Sequence, residues 1–197
     1  MSETPAASLG RTRWKRFAAL AVPAAVGAGA LMFLTGQGAV ASSFAVSGSS
    51  FKVRASSLEG DGFVQYGGAD ESKDGQKHPV QISGIKHATI RDMCQSMKVG
   101  PFTLRLTAGT GKDPVEATDL VLDVAQLDAN ASFRDIQIGR DASTLDAGPS
   151  GARGATGMFG QQASHVTLTD VKQVAWATTA GTFKLNNLSM KLGGECF

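Results

Sequence analysis

The chain has 197 residues, 42% of them hydrophobic and 18% charged, with 24 glycines. One domain with or without a targeting segment fits this length, and so much glycine with so little charge argues against both long helices and wholesale disorder. The formal charge of +2 belongs to the N-terminus: from Ser42 onward 15 bases meet 16 acids, too neutral a field for nucleic-acid binding.

Residues 1–16 are polar and end in Arg11, Arg13, Lys15 and Arg16; the run Phe17 to Leu34 then holds no charge, and Ala39-Val-Ala41 follows. A basic start, an apolar middle and small residues at alternate positions are the order of a secretory signal, cleaved between Ala41 and Ser42. Eighteen apolar residues also suffice to span a bilayer as a helix, so retention of residues 17–34 as a transmembrane anchor is the alternative. Either way residues 42–197 form an extracytoplasmic domain, since the bases stay inside.

That domain reads as strands. Phe44-x-Val46, Phe51-x-Val53, Phe63-Val-Gln-Tyr66, Val80-x-Ile82, Phe102-x-Leu104-x-Leu106, Leu120-x-Leu122-x-Val124, Phe133-x-x-Ile136-x-Ile138, Val166-x-Leu168, Phe183-x-Leu185 and Leu188-x-Met190-x-Leu192 alternate with period two between Gly, Asn and Asp breaks. Glu59-Gly-Asp-Gly62 reads as a turn, with Asp61 supplying turn chemistry. Thr118–Leu127 and Val171–Thr178 tolerate a helical reading but alternate equally well. Residues 67–79 and 146–162, rich in Gly and polar groups, are predicted to be exposed loops, the second with a lone Met158-Phe159 pair that could dock on a partner or lipid.

A fragment recurs along the chain. Ala88-Thr-Ile-Arg-Asp-Met93 matches Ala131-Ser-Phe-Arg-Asp-Ile136 by residue class, and His165–Val171 and Thr182–Leu188 share its shape: apolar, two polar residues often including Asp or Asn, apolar. Such corners suit stacked β coils, although their spacing is irregular. The expected fold is all-β, an elongated domain with solenoid-like stacking, with a β-sandwich as the alternative. Two cysteines in an oxidising compartment predict a Cys94–Cys196 disulfide.

Catalytic chemistry is sparse. Gly-x-Ser-x-Gly does not occur, and Ser150 sits in the second expected loop. His78, His87 and His165 are read as surface residues; Ser164 and His165 are adjacent, so a strand would point them to opposite faces. Asp113, Glu116, Asp119, Asp123 and Asp128 read as a solvated strand face, without Ca²⁺-loop spacing. No metal site and no cofactor is expected.

Trp14-Lys-Arg-Phe17, Ala41–Gly48, Gly62–Tyr66, Gln126–Ala129, Asp170–Leu185, Met93-Cys-Gln-Ser96 and the ending Glu195-Cys-Phe197 together resemble an uncharacterised family of exported actinomycete proteins. Members often carry the label cholesterol esterase and are often encoded beside a small multi-span membrane protein; the family has no established catalytic residues. The resemblance implies an envelope setting and a membrane partner. Three functions follow as expectations: a non-enzymatic envelope or surface protein contacting itself or that partner, a lipid or sterol binder, or, against the motif evidence, a sterol-ester hydrolase.

Overall fold

The computed structural model describes residues 46–197. The expected signal or anchor, with Ala39, Ala41 and Ser42, lies outside the described residues. Nine strands follow in chain order: β1 (Phe51–Glu71), β2 (Lys77–Arg91), β3 (Met93–Val99), β4 (Phe102–Ala108), β5 (Val115–Arg134), β6 (Gln137–Asp141), β7 (Phe159–Thr179), β8 (Thr182–Lys184) and β9 (Ser189–Leu192). They form one antiparallel sheet, so the all-β expectation holds.

The sheet closes on itself. β1 pairs β2, β2 pairs β5, β5 pairs β7, and β7 returns to β1. One row of opposed residues runs from Thr118 to His87, Asp61, His165 and Arg134, re-entering β5 far along the strand from where it left. Closure with such an offset requires steeply wound strands. Val46, before β1, accordingly donates its N–H to Glu71 O at the end of β1.

The recurring fragments make the winding possible. Asp92, Asp119, Asp135, Asp170 and Asn187 all take left-handed φ values between 48° and 55°, a region that Asp and Asn enter more readily than other non-glycine residues. Three of these corners space inward residues three apart instead of two: Ile90 and Met93, Ala117 and Leu120, Leu168 and Val171 are all buried. The corners line up across strands. Gly62, Ser164, Lys86 and Asp119 each fall in the one-residue gap that the β1–β7, β1–β2 and β2–β5 ladders leave between opposed pairs; Ser164 Oγ in turn donates to Asp135 Oδ2 at 2.6 Å. A second row passes through Asp170, Ser56 and Asp92, the last two joined by a 2.8 Å hydrogen bond. The repeated fragments, with Asp119, thus mark bends within one antiparallel sheet that closes on itself, and Ile90, Met93, Ala117, Leu120, Leu168 and Val171 beside them belong to the main core.

Three local readings need correction. Glu59–Gly62 is not a turn between strands, because both neighbours pair through it; Gly62, at φ +69°, only bends β1. Residues 67–71 and 77–79 are paired strand ends of a hairpin, with Gly68 letting Ile82 lie on its backbone, and only residues 72–76 turn. Residues 146–158 are irregular yet packed: Ala152 joins Val64, Tyr66, Ala142 and Leu145 in a second core, and Gly148 and Gly154 leave room for Val64 and Tyr66. The missing Cβ atoms supply the fit that composition alone argued against.

Gly62 gives the first prediction. A Cβ there would sit 2.6 Å from Ala147 O and 2.9 Å from Lys86 Cδ. Gly62→Ala should destabilise the domain by about 1–2 kcal/mol from the backbone conformation alone, with the clash adding to it. Urea unfolding of the two proteins measures the difference, and equal midpoints would refute the corner assignment.

Beyond the ring, β3 pairs β1 only at Phe51–Arg54, β4 pairs β3, and β9 pairs β4. These three strands form a wing, closed by the disulfide described next.

Candidate functional site

Beyond Val124 the second half of β5 leaves β2 and, among the described residues, is paired with β7 alone. Its inward residues Leu127, Ala129, Ala131 and Phe133 therefore overhang the core instead of closing it. Between them and Leu58, Phe63, Ile85, Val166 and Leu168 lies a cavity of about 220 Å³. Leu127 and Phe133 remain 38% and 37% exposed, so this side is the mouth. A second compartment of about 190 Å³ lies among Val53, Ile90, Met93, Leu120, Val171 and Phe183. Leu58, Leu122 and Gln173 border both. Each alone falls below the usual size of a ligand pocket, about 300 Å³ at the small end, so a ligand of that size would have to occupy both.

The lining of both compartments is uncharged. Gln65 Nε2 donates to Ser83 Oγ at 3.0 Å, and Gln161 Nε2 donates to Gln65 Oε1. Gln173 is different. It is 5% exposed and is the one polar side chain that borders both compartments. Its carboxamide offers both donors and an acceptor to a ligand hydroxyl or carbonyl that reaches the compartments.

The predicted cysteines are joined as Cys94–Cys196, with Cα atoms 5.9 Å apart. The bridge returns the C-terminal tail to the outer face of β3. Cys196 N donates to Ser96 Oγ at 3.1 Å, and Lys52 Nζ reaches Glu195 Oε2 and Phe197 O at 3.1 and 3.0 Å. A larger, polar depression beside the bridge holds Arg54, Asp92, Arg105, Asp128, Asp170 and Lys172; it has charged walls of both signs.

Ser164 does not meet His165. Its Oγ donates to Asp135 and to Arg134 O. His165 Nδ1 instead lies 2.7 Å from Asp61 Oδ1, and its Nε2 lies 3.3 Å from Thr167 Oγ1. This hydroxyl–imidazole–carboxylate chain was invisible in the sequence because Asp61 reads locally as turn chemistry. It lies on the outer face, with the Asp61 side chain 70% exposed, in a shallow depression shared with His87. Neither inner compartment includes any of its members. His78 is no free surface residue: it stacks on Trp176 at 3.6 Å and its Nε2 lies 3.2 Å from Ser72 Oγ. Ser150 is exposed in the packed irregular segment. Among the described residues no group of three or more His, Cys, Asp or Glu is placed to hold a metal ion.

Asp123 departs from the expected solvated acidic face. Burial, then the Asp70 carboxylate, pushes its pKa up to about 6, while Asp70 is itself raised by burial and has Oδ2 enclosed without a partner among the described residues. The native state thus holds a proton on Asp123 between about pH 4 and 6 that the unfolded chain has already lost. This contribution favours folding below the unfolded pKa and disappears as pH rises through 6. Asp123→Asn should therefore gain stability relative to the parent as pH goes from 4 to 7, by about 1–2 kcal/mol once solvent screening is allowed for. A parent-minus-variant difference that stays flat across that range in chemical denaturation would refute it.

A family model described as a family of unknown function (DUF6230) matches residues 47–197. No curated protein and no solved structure matches the chain.

Proposed function

The chain belongs to this family of unknown function, and we propose that its domain is a non-catalytic, extracytoplasmic protein that holds one uncharged amphiphile in the groove under β5. The supporting observation is an uncharged, mainly apolar groove lined at the junction of its two compartments by the carboxamide residue Gln173. An ionised carboxylate or phosphate buried there would meet no counter-charge and pay heavily for desolvation, whereas a hydroxyl or ester head would find the Gln173 amide. An extracytoplasmic setting agrees with the Cys94–Cys196 bridge and with the signal-like N-terminus. This reading favours the lipid-binding expectation over a purely surface-contact role, and places hydrolysis last, because the His165 chain faces solvent away from the groove.

The test uses the purified full chain with 1-monooleoylglycerol and oleate at neutral pH. The glycerol ester should be retained at least tenfold more tightly than oleate, and Gln173→Leu should erase most of that preference. Ser150→Ala, Ser164→Ala, His165→Ala and Thr167→Ala should all leave ester consumption at the buffer rate. Turnover by the parent that disappears in His165→Ala or Thr167→Ala would reject the non-catalytic reading, and retention of neither lipid would reject the groove.

A further inference from the structure

We infer that the free edge of β5 from Gln126 to Arg134 is where a second copy of this chain pairs, antiparallel, across a two-fold axis at Ala131. From Ala125 to Arg134 every residue of β5 is exposed, and among the described residues this stretch has β7 on one edge and no strand on the other. Unpaired N–H and C=O groups along a strand are a template for a further strand, and proteins blunt such edges with Lys, Pro, bulges or shortness. Three other free edges carry those devices. The outer end of β2 has Lys77 and Pro79, β6 has five residues with a register shift at Gly139, and β9 has four residues including Lys191. Between Gln126 and Arg134, β5 has no Lys, Pro or Gly. The register shift after Asp128 adds its extra residue to β7, where Asp170 and Val171 stand against Ala129 alone, so β5 itself stays regular there.

The order of charges along the edge identifies the occupant. Asp128 and Arg134 are exposed, lie equally far on either side of Ala131, and share the face opposite Leu127, Ala129, Ala131 and Phe133. Neither enters an ion pair among the described residues; Asp128 accepts a 2.8 Å hydrogen bond from Gln126. A two-fold axis at Ala131 sets Asp128 of each copy opposite the partner's Arg134, and Asn130 opposite the partner's Ser132. On the groove side Phe133 meets the partner's Ala129, large against small, so each copy extends the roof of the other's groove. Opposite charges placed directly across two antiparallel strands favour the pairing, and a contact between identical copies about a two-fold requires such self-complementarity. This pairing needs no ligand in the groove.

The test is sedimentation velocity of the full chain at low salt in one detergent, so that whatever the N-terminal apolar run contributes is common to every sample. The samples are the parent, Asp128→Arg, Arg134→Asp, the double variant Asp128→Arg/Arg134→Asp, and an equimolar mixture of the two single variants. The parent should form dimers. Each single variant sets like charges opposite one another and should weaken dimerisation about tenfold or more. The double variant restores both opposite-charge contacts with their signs exchanged and should dimerise as the parent does. The mixture should recover as a heterodimer, because one variant then supplies both bases and the other both acids; that recovery also shows both single variants to be folded. A parent that sediments as a monomer overturns the pairing. Dimerisation that neither single variant weakens places the contact elsewhere on the chain and overturns it too. Loss in the single variants without recovery in the double variant or the mixture overturns the Ala131 register.

Discussion

Replacing Cys94 and Cys196 by serine is expected to lower stability by about 4–5 kcal/mol from loop-closure entropy alone, because the bridge spans a sequence separation of 102 residues. For a domain of this size that is a fall in melting temperature of about 10–15 °C. The loss should be uneven. β9 has four exposed residues and, among the described residues, pairs only with β4, and the tail beyond it is held to β3 through the bridge and to β1 through the Lys52 contacts. Hydrogen exchange should therefore show β4 and β9 losing protection first while the ring strands stay closed. A serine double variant melting within about 2 °C of the parent would mean that the bridge adds little, whatever its geometry.

Ala131→Phe is expected to abolish amphiphile retention, by a hundredfold or more, while leaving the fold intact. Ala131 is an exposed lining residue of the 220 Å³ compartment, opposite Leu168 in the β5–β7 register. A phenyl ring there has solvent on one side, so overpacking strain is small, and the open space under the overhang on the other, which it would fill. The added apolar contact should hold thermal stability level or raise it slightly. Retained binding at parental affinity would place the ligand elsewhere, and unfolding would show that the overhang is packed rather than open.

The strands were legible because alternation survives wherever one face is buried, as in Phe102-x-Leu104-x-Leu106. The corners were legible too: Arg91-Asp92-Met93 and Arg134-Asp135-Ile136 repeat because the left-handed position asks for the same residue type each time. Ring closure was not, since pairing Asp61 with His165 depends on residues far apart in sequence. The same distance hid the His165–Asp61 contact behind local turn chemistry. Nor could the groove be read: Leu127, Ala129, Ala131 and Phe133 are spelled as a core-facing strand, and only the departure of β2 at Val124 leaves them uncovered. Asp123 looked like its acidic neighbours for a similar reason, because its partner Asp70 arrives from β1.

Closure of the ring also sets the order of events in folding. Phe51 pairs Ala175 and Tyr66 pairs Gly160, so the first strand waits for almost the whole chain before its second edge is satisfied. Until then the β1–β2 hairpin offers an open edge and half a core. Such long-range pairing makes folding slow, and a nascent chain lacking β7 cannot bury Phe63 or Ile85 against Val166. The same late step puts a high barrier in the way of reopening once β7 has zipped between β1 and β5.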